Sequence, residues 1–285
     1  MPVRMESIMS NSPGLQLYQP SGKLGSSPLL LVLLGLPLCL LWSVAYAYAD
    51  VYIPIGGVFT VVLVGGFTFL LGLTIAQVGK LAKCRNATVL RLMGMGIGTL
   101  SLYAAWASFL HALFAQQAGD TPSIVEFALN PRLMWEAICA VNETGWYSIK
   151  STTPSGIVLW LFWGVEIVVV IGGSWLFAEL AISNELFCET CNRWCPAGDM
   201  TYHEPTAELM SAATDSISPV ALLALPPLPA KTIPAIRAEL LQCPGCKRAG
   251  VRFSRLRHER SDKGELVEKT DAIPGILLPP GQPAG

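Results

Sequence analysis

GIVLWLFWGVEIVVVIGGSWLFAELAI, residues Gly156 to Ile182, carries only two charges, Glu166 and Glu179, in an otherwise apolar run. At a rise of about 1.5 Å per residue, such a run crosses a hydrocarbon core of about 30 Å. It reads as a transmembrane helix. The composition agrees: 52% of the 285 residues are apolar and 14% charged, and mean hydropathy is +0.49. A soluble domain carries about 25% charged residues, so an ordinary soluble enzyme is excluded. A formal net charge of -1 argues against bulk affinity for nucleic acid.

Toward the amino terminus the pattern recurs at about residues 28–49, 55–79 and 88–115, and Asp50 is the only charge between Pro28 and Gly79. Asp50 to Gly57 (DVYIPIGG) is turn chemistry, so the first two spans form a tight hairpin. A cleaved signal peptide is the weaker reading of the first run, which exceeds the usual apolar length of about 7–15 residues and is followed at once by another long apolar segment. Residues 1–27 are rich in Ser, Gly and Pro and are expected to form a disordered tail.

Lys80, Lys83, Arg85 and Arg91 follow the second span, and eleven of the nineteen basic residues lie in the last hundred positions. The loop 116–155 has Asp120, Glu126, Glu136 and Glu143 against only Arg132 and Lys150. Positive charge gathers on the cytoplasmic side, so both termini are expected there and the acidic loop outside. Within that loop, Thr121-Pro122 and Asn130-Pro131 each place a capping residue before a proline suited to the first helical turn. The second helix would present Leu133, Met134, Ala137, Ile138 and Val141 on one face and end at Gly145, capping the bundle or lying along the membrane surface.

Beyond the fourth span, Cys188-Glu-Thr-Cys191 is answered, after 51 intervening residues, by Cys243-Pro-Gly-Cys246. Each short turn presents two thiolates to one point, and two turns complete a tetrahedron around structural zinc with Zn–S distances of about 2.3 Å. Cys195 and His203 are alternate ligands. A thioredoxin-like redox pair at Cys243 and Cys246 would need a preceding strand and a following helix, and disulfides would need an oxidising compartment. Val251 to Leu256 and Glu265 to Val267 flank the turn sequence Ser261-Asp-Lys-Gly264, the hairpin of a zinc ribbon. Residues 196–242 are read as an insertion between the cysteine pairs, helical near Pro205 to Thr214 and Pro234 to Leu241, with residues 271–285 a flexible tail. Pro226, Pro227 and Pro229 keep Val220 to Leu228 from being a fifth span.

Lys247, Arg248, Arg252, Arg255, Arg257 and Arg260 suggest a basic face for anionic headgroups or a cytoplasmic protein partner, or else a charged, solvated strand edge. Glu166 lies near mid-span, where an acidic side chain costs about 2.5 to 3.5 kcal/mol on insertion scales, so it needs a hydrogen bond inside the bundle or a wet path. His111, Ser101, Ser108, Thr68 and Thr74 are the expected partners. Gly94, Gly98, Ser101, Ala105 and Ser108 draw a small-residue stripe for close helix packing. No Walker loop, Gly-x-Ser-x-Gly or His-Glu-x-x-His occurs, so no nucleophile and base can be named.

Tyr18-Gln-Pro-Ser-Gly-Lys23, Val51-Tyr-Ile-Pro54, Gly79-Lys-Leu-Ala-Lys83 with Arg85-Asn86, Asn142-Glu-Thr-Gly-Trp146 and Phe187-Cys-Glu-Thr-Cys-Asn-Arg-Trp194 are similar to segments of an uncharacterised family of bacterial inner-membrane proteins, over residues 18 to about 270. The resemblance implies four spans followed by a zinc-knuckle segment and a bacterial setting; it implies no activity. The fold expected is an all-α bundle of four transmembrane helices (28–183) plus a small cytoplasmic zinc-ribbon-like domain (184–270) with a β-hairpin. The function expected is that of an interaction or scaffold protein. The alternative is a small transporter or ion-conducting homo-oligomer using Glu166.

Overall fold

The computed structural model describes residues 16–53, 58–116, 120–146, 153–229, 232–261 and 266–278. They fall into two compact units: a helical unit, Leu24–Ser183, and a β unit built from Asn184 onward together with the residues up to Lys23.

The helical unit contains α1 (Ser27–Tyr52), α2 (Val58–Leu81), α3 (Ala87–Phe114), the shorter α4 (Ile124–Leu129) and α5 (Pro131–Thr144), and α6 (Ile157–Ser183). Four of these, α1, α2, α3 and α6, are long and apolar enough to cross a membrane, and no other helix among the described residues is. Their ends lie within a few residues of those read from hydropathy. The turn expected between the first two spans falls partly on residues 54–57, outside the described residues. A π turn, Leu31–Gly35, stands just before Pro37 in α1. Proline lacks an N–H and its ring crowds the carbonyl four residues back, which the wider turn relieves. Helix α3 starts at Asn86, whose side chain accepts from the Val89 N–H at 3.0 Å.

Helix α4 opens at Ser123 rather than at Thr121. Ser123 has a glutamate three residues on, and the two form a reciprocal cap: Ser123 Oγ accepts from Glu126 N at 3.2 Å, and Glu126 Oε2 accepts from Ser123 N at 2.9 Å. Helix α5 has Pro131 in its first turn and ends at Gly145, which takes φ +73°. Its buried residues Met134, Ile138 and Val141 join Ala107, Phe109 and Leu110 of α3 and Leu159 and Trp163 of α6, so this helix caps the bundle.

Helix α2 packs on α6, α1 on α3, and α3 on α6. The stripe on α3 serves this packing: a Cβ at Gly94 would fall 2.9 Å from the Ser174 carbonyl oxygen, and one at Gly98 would fall 2.8 Å from Ser174 Oγ. Gly98→Leu is therefore expected to destabilise the helical unit by about 1–3 kcal/mol through overpacking. A lower thermal midpoint of the detergent-solubilised chain checks this, and an unchanged midpoint refutes it. The outer flanks keep apolar side chains exposed, among them Leu41, Val61, Leu161 and Val168, as expected of helices that are apolar all round.

In the β unit, strands β1 (Gln16–Leu17), β4 (Ala197–His203), β5 (Pro227–Leu228), β6 (Ala235–Gln242), β7 (Ala249–Arg260) and β8 (Leu266–Leu278) form one antiparallel sheet in the order β1-β8-β7-β6-β4-β5, and β2 (Phe187–Cys188) pairs with β3 (Arg193–Trp194) in a separate hairpin. Ile236, Ala238 and Leu240 of β6 and Val251 and Phe253 of β7 alternate onto the core face. Ile273 and Leu277 of β8 complete that core with Ile217 and Leu222 from the connection before β5. Near Pro274 and Gly275 the β7/β8 register shifts, and Gly275 takes φ +99°; a proline that cannot donate to the ladder and a left-handed glycine together make a bulge.

Three expectations change here. Residues 196–242 are not an insertion beside a ribbon, because β4 and β6 are interior strands of the sheet. The helix Ala207–Ser211 (α7) lies where one was expected, but Pro234 to Leu241 is strand: pairing of β6 with both β4 and β7 overrides its Ala, Glu and Leu content. Nor are the ends of the chain all tail. Gln16 and Leu17 pair with β8, Tyr18 N–H donates to the Ile276 carbonyl at 2.8 Å, and β8 continues through the expected tail to Leu278. An open strand edge recruits a short segment that has no periodicity of its own.

Candidate metal centre

Both cysteine pairs sit on hairpin turns. The first spans the turn from β2 to β3, and the second forms the turn from β6 to β7. The second is closed by two backbone bonds: Cys243 N donates to the Arg248 carbonyl at 2.7 Å, and Lys247 N donates to the Cys243 carbonyl at 3.1 Å. In each knuckle the residue after the second cysteine is left-handed, Asn192 at φ +50° and Lys247 at φ +63°. That shared conformation turns two thiols inward from each hairpin.

The Sγ atoms of Cys188, Cys191, Cys243 and Cys246 lie within 4.8 Å of one another, and Cys188 and Cys246 are 3.3 Å apart. Sulfurs about 2.3 Å from a central ion stand about 3.8 Å apart at the corners of a tetrahedron. The four thiols therefore fit a tetrahedral metal ion, while all four cysteines are free. Leu186, Leu241, Ile276 and Leu278 form an apolar wall around them, with Tyr18 against it.

The electrostatics of the four differ. Burial pushes the Cys188 thiol up to about 12. Burial also raises Cys243, but the N–H groups of Cys246 and Gly245, with the Cys188 and Cys191 thiols, outweigh it and bring Cys243 down to about 6. Thiolate charge is thus favoured first at Cys243. Any metal the four take up displaces protons from the others, so affinity falls as pH is lowered.

Gly245 is a position that spacing alone did not reveal. A Cβ there would fall 2.9 Å from Cys191 Sγ and 3.9 Å from Cys243 Sγ. Gly245→Ala is expected to weaken metal binding at the four thiols about tenfold or more by spreading the two knuckles. Titration with a competing chelator measures this, and wild-type affinity would contradict it.

Neither alternate ligand joins the four. Cys195 is buried in the apolar wall, where burial pushes its thiol up to about 12 and keeps it neutral. His203 is occupied elsewhere: its Nδ1 lies 3.1 Å from the Leu225 carbonyl oxygen and its Nε2 lies 3.0 Å from Thr201 Oγ1, which ties β4 to the segment before β5. The amino-terminal segment reaches the first knuckle instead. Ser21 Oγ donates to Glu189 Oε1 at 2.6 Å, and Lys23 Nζ stands 3.4 Å from Glu189 Oε2.

The expected basic face is not gathered on one surface. Strand parity sends Arg255 and Arg257 to one side of β7 and Arg252 and Arg260 to the other. Arg252 binds Glu239 through Nε at 3.1 Å and the Asn184 carbonyl through Nη1 at 2.7 Å. Arg255 is buried and donates to the carbonyls of Leu209, Met210 and Ala212. Arg257 pairs with Asp271 at 3.0 Å, and Arg248 is buried. Lys247 and Arg260 remain exposed.

In the helical unit, Glu166 is bonded to none of its expected partners. Its Oε1 accepts from Tyr46 Oη at 2.7 Å. Tyr46 is on α1, 120 residues away, and is held by stacking on Phe67 with centroids 4.5 Å apart. His111 Nδ1 instead lies 2.9 Å from the Pro122 carbonyl oxygen, while Ser108, Thr68 and Thr74 donate to carbonyls one turn back on their own helices. Ser101 is buried on the packing face of α3 with Ala105. The available sequence signal was the spacing of Tyr46 and Asp50, one helical turn apart.

Compared with models of known families, with curated proteins and with solved structures, the chain has no match in any of the three.

Proposed function

We propose that the chain is an integral membrane protein whose four apolar helices anchor a zinc-organised β domain at the cytoplasmic face, and that it acts by holding a protein partner. The observation that carries this reading is the convergence of four thiols from two hairpins inside an apolar wall. Cys188, Cys191, Cys243 and Cys246 would hold the zinc. When bound, zinc supplies a cross-link between the hairpins and no chemistry on a substrate. The residues before α1 share a sheet with those after α6, which suits an even number of crossings. The basic residues around Lys83 and after Asn184 favour the cytoplasm for that side, and the sequence resemblance favours a bacterial inner membrane.

The partner surface best supported is the outer end of the β7/β8 hairpin. His258, Glu259 and Arg260 are exposed there opposite Leu266 and Val267, which expose 68% and 50% of their surface. Leu266 and Val267, consecutive on the strand, put one exposed apolar side chain on each face of a charged arm, which suits a small contact with a partner that clasps the arm.

Elemental analysis of the full chain purified in mild detergent is expected to give about one zinc per chain. In intact cells a membrane-impermeant thiol reagent should leave Cys246 unlabelled, and in everted vesicles stripped of metal it should label it. Absence of zinc, or labelling from outside, would overturn the reading. A photoreactive residue at Val267 should yield one discrete protein adduct in cells, and no adduct would remove the partner role.

A further inference from the structure

At one end of the helical unit α1, α2 and α6 border a hollow of about 280 Å³ that continues into a smaller one of about 20 Å³ against α3. The two share Tyr46, Asp50, Trp146, Trp163 and Glu166. Tyr46 and Asp50 stand one turn apart on α1, and Glu166 faces them from α6, bonded to the Tyr46 hydroxyl. The aromatic walls are mutually fixed: Trp106 and Trp163 meet edge to face with centroids 4.8 Å apart, as do Phe109 and Trp146 at 4.8 Å. The outer hollow is bordered by Val61, Val64 and Phe162, and a Cβ at Gly65 would meet nothing within 4 Å. Val61 and Val165, on its border, are among the most exposed apolar residues, so it opens sideways on the apolar flank of the helices.

Among the described residues no cation stands against either carboxyl. An acyl chain in the hollow would leave both acids facing hydrocarbon. A hard divalent ion favours a cage of about six oxygen ligands, many of them charged or carbonyl oxygens; here two carboxyls and the hydroxyls of Tyr46 and Thr60 stand in a border that is otherwise aromatic and aliphatic. Two acids within aromatic walls, beside an apolar slot, suit an organic cation: the rings attract the positive centre by their quadrupoles, and the slot takes an apolar body. We infer that this hollow is a binding site for an amphipathic organic cation, a substituted ammonium with an apolar tail, entering from the bilayer. The site goes beyond the zinc-domain function and lies wholly in the helical unit.

The test is equilibrium dialysis of the full chain in maltoside micelles with labelled phenylbutyl-trimethylammonium, against the neutral isostere in which carbon replaces the nitrogen. Saturable binding of one cation per chain, at least tenfold tighter than the isostere, is expected. The doubly substituted Asp50→Asn, Glu166→Gln chain should lose at least tenfold in cation affinity. Gly65→Leu, which fills the slot without touching either acid, should lose as much. Isostere binding within tenfold of the cation would overturn the proposal in the unaltered protein, whatever the variants do. Cation affinity surviving both substitution schemes within tenfold would overturn it as well.

Discussion

Cys243→Ser is expected to empty the metal centre and unfold the β unit while leaving the helical unit intact. The four thiols are the only cysteine cluster among the described residues, and Cys188 and Cys243 at its heart are fully buried. Structural zinc contributes an apparent 10–16 kcal/mol in small zinc domains at neutral pH, more than the stability of most small domains. Serine keeps the shape but is a poor ligand for zinc. On the proposed zinc reading, bound metal should fall to near none, and protease cleavage should appear after Asn184 while the helices keep their circular dichroism. A strong chelator should reproduce this in the unaltered chain, and Cys195→Ser should not. Retained zinc with unchanged protease resistance in Cys243→Ser would refute the four-thiol site.

The second large effect is expected at Arg255. Its side chain is only 6% exposed and lies on the core face of the sheet. It donates to the carbonyls of Leu209 at 2.9 Å and Ala212 at 2.8 Å, and stands 3.3 Å from Asp271. Those carbonyls are ones that the end of α7 leaves unsatisfied, so one guanidinium both caps the helix and fastens it to the sheet. Arg255→Ala removes a buried cation and leaves half-buried carbonyls without their donor, while Asp271 keeps Arg257, at a cost of about 1–3 kcal/mol. Arg255→Lys should recover only part, since an ammonium cannot span the same acceptors as a planar fork. Hydrogen exchange should rise in α7 and the segment up to Leu225. Arg260→Ala, at an exposed position, should stay within about 0.5 kcal/mol of wild type. Equal effects at the two positions would refute the structural role of Arg255.

The helices were legible because hydrocarbon thickness imposes a length and a composition on any crossing segment, and both show in one dimension. The cysteine pairs were legible for a related reason: a knuckle is local, so its spacing survives in sequence. What could not be read is non-local. Pro234 to Leu241 carries helix-forming residues and became β6 because strands lie on both of its sides. The partner of Glu166 came from α1, where only its one-turn spacing from Asp50 sets Tyr46 apart from several other aromatic residues. The arginines after Cys246 looked like a face in sequence, but strand parity and acidic partners on β6 and β8 dispersed them.

The pairing of Gln16 and Leu17 with Leu278 and Leu277 joins a segment that precedes the first long helix to one that follows the last. The sheet cannot be completed until all four long helices and β8 have been synthesised. Until then β8 has no neighbour on its outer side, and a fragment beginning at Asn184 would never acquire one. Such a fragment should self-associate through that uncovered border. Supplying residues 16–23 as a separate peptide should keep it monomeric.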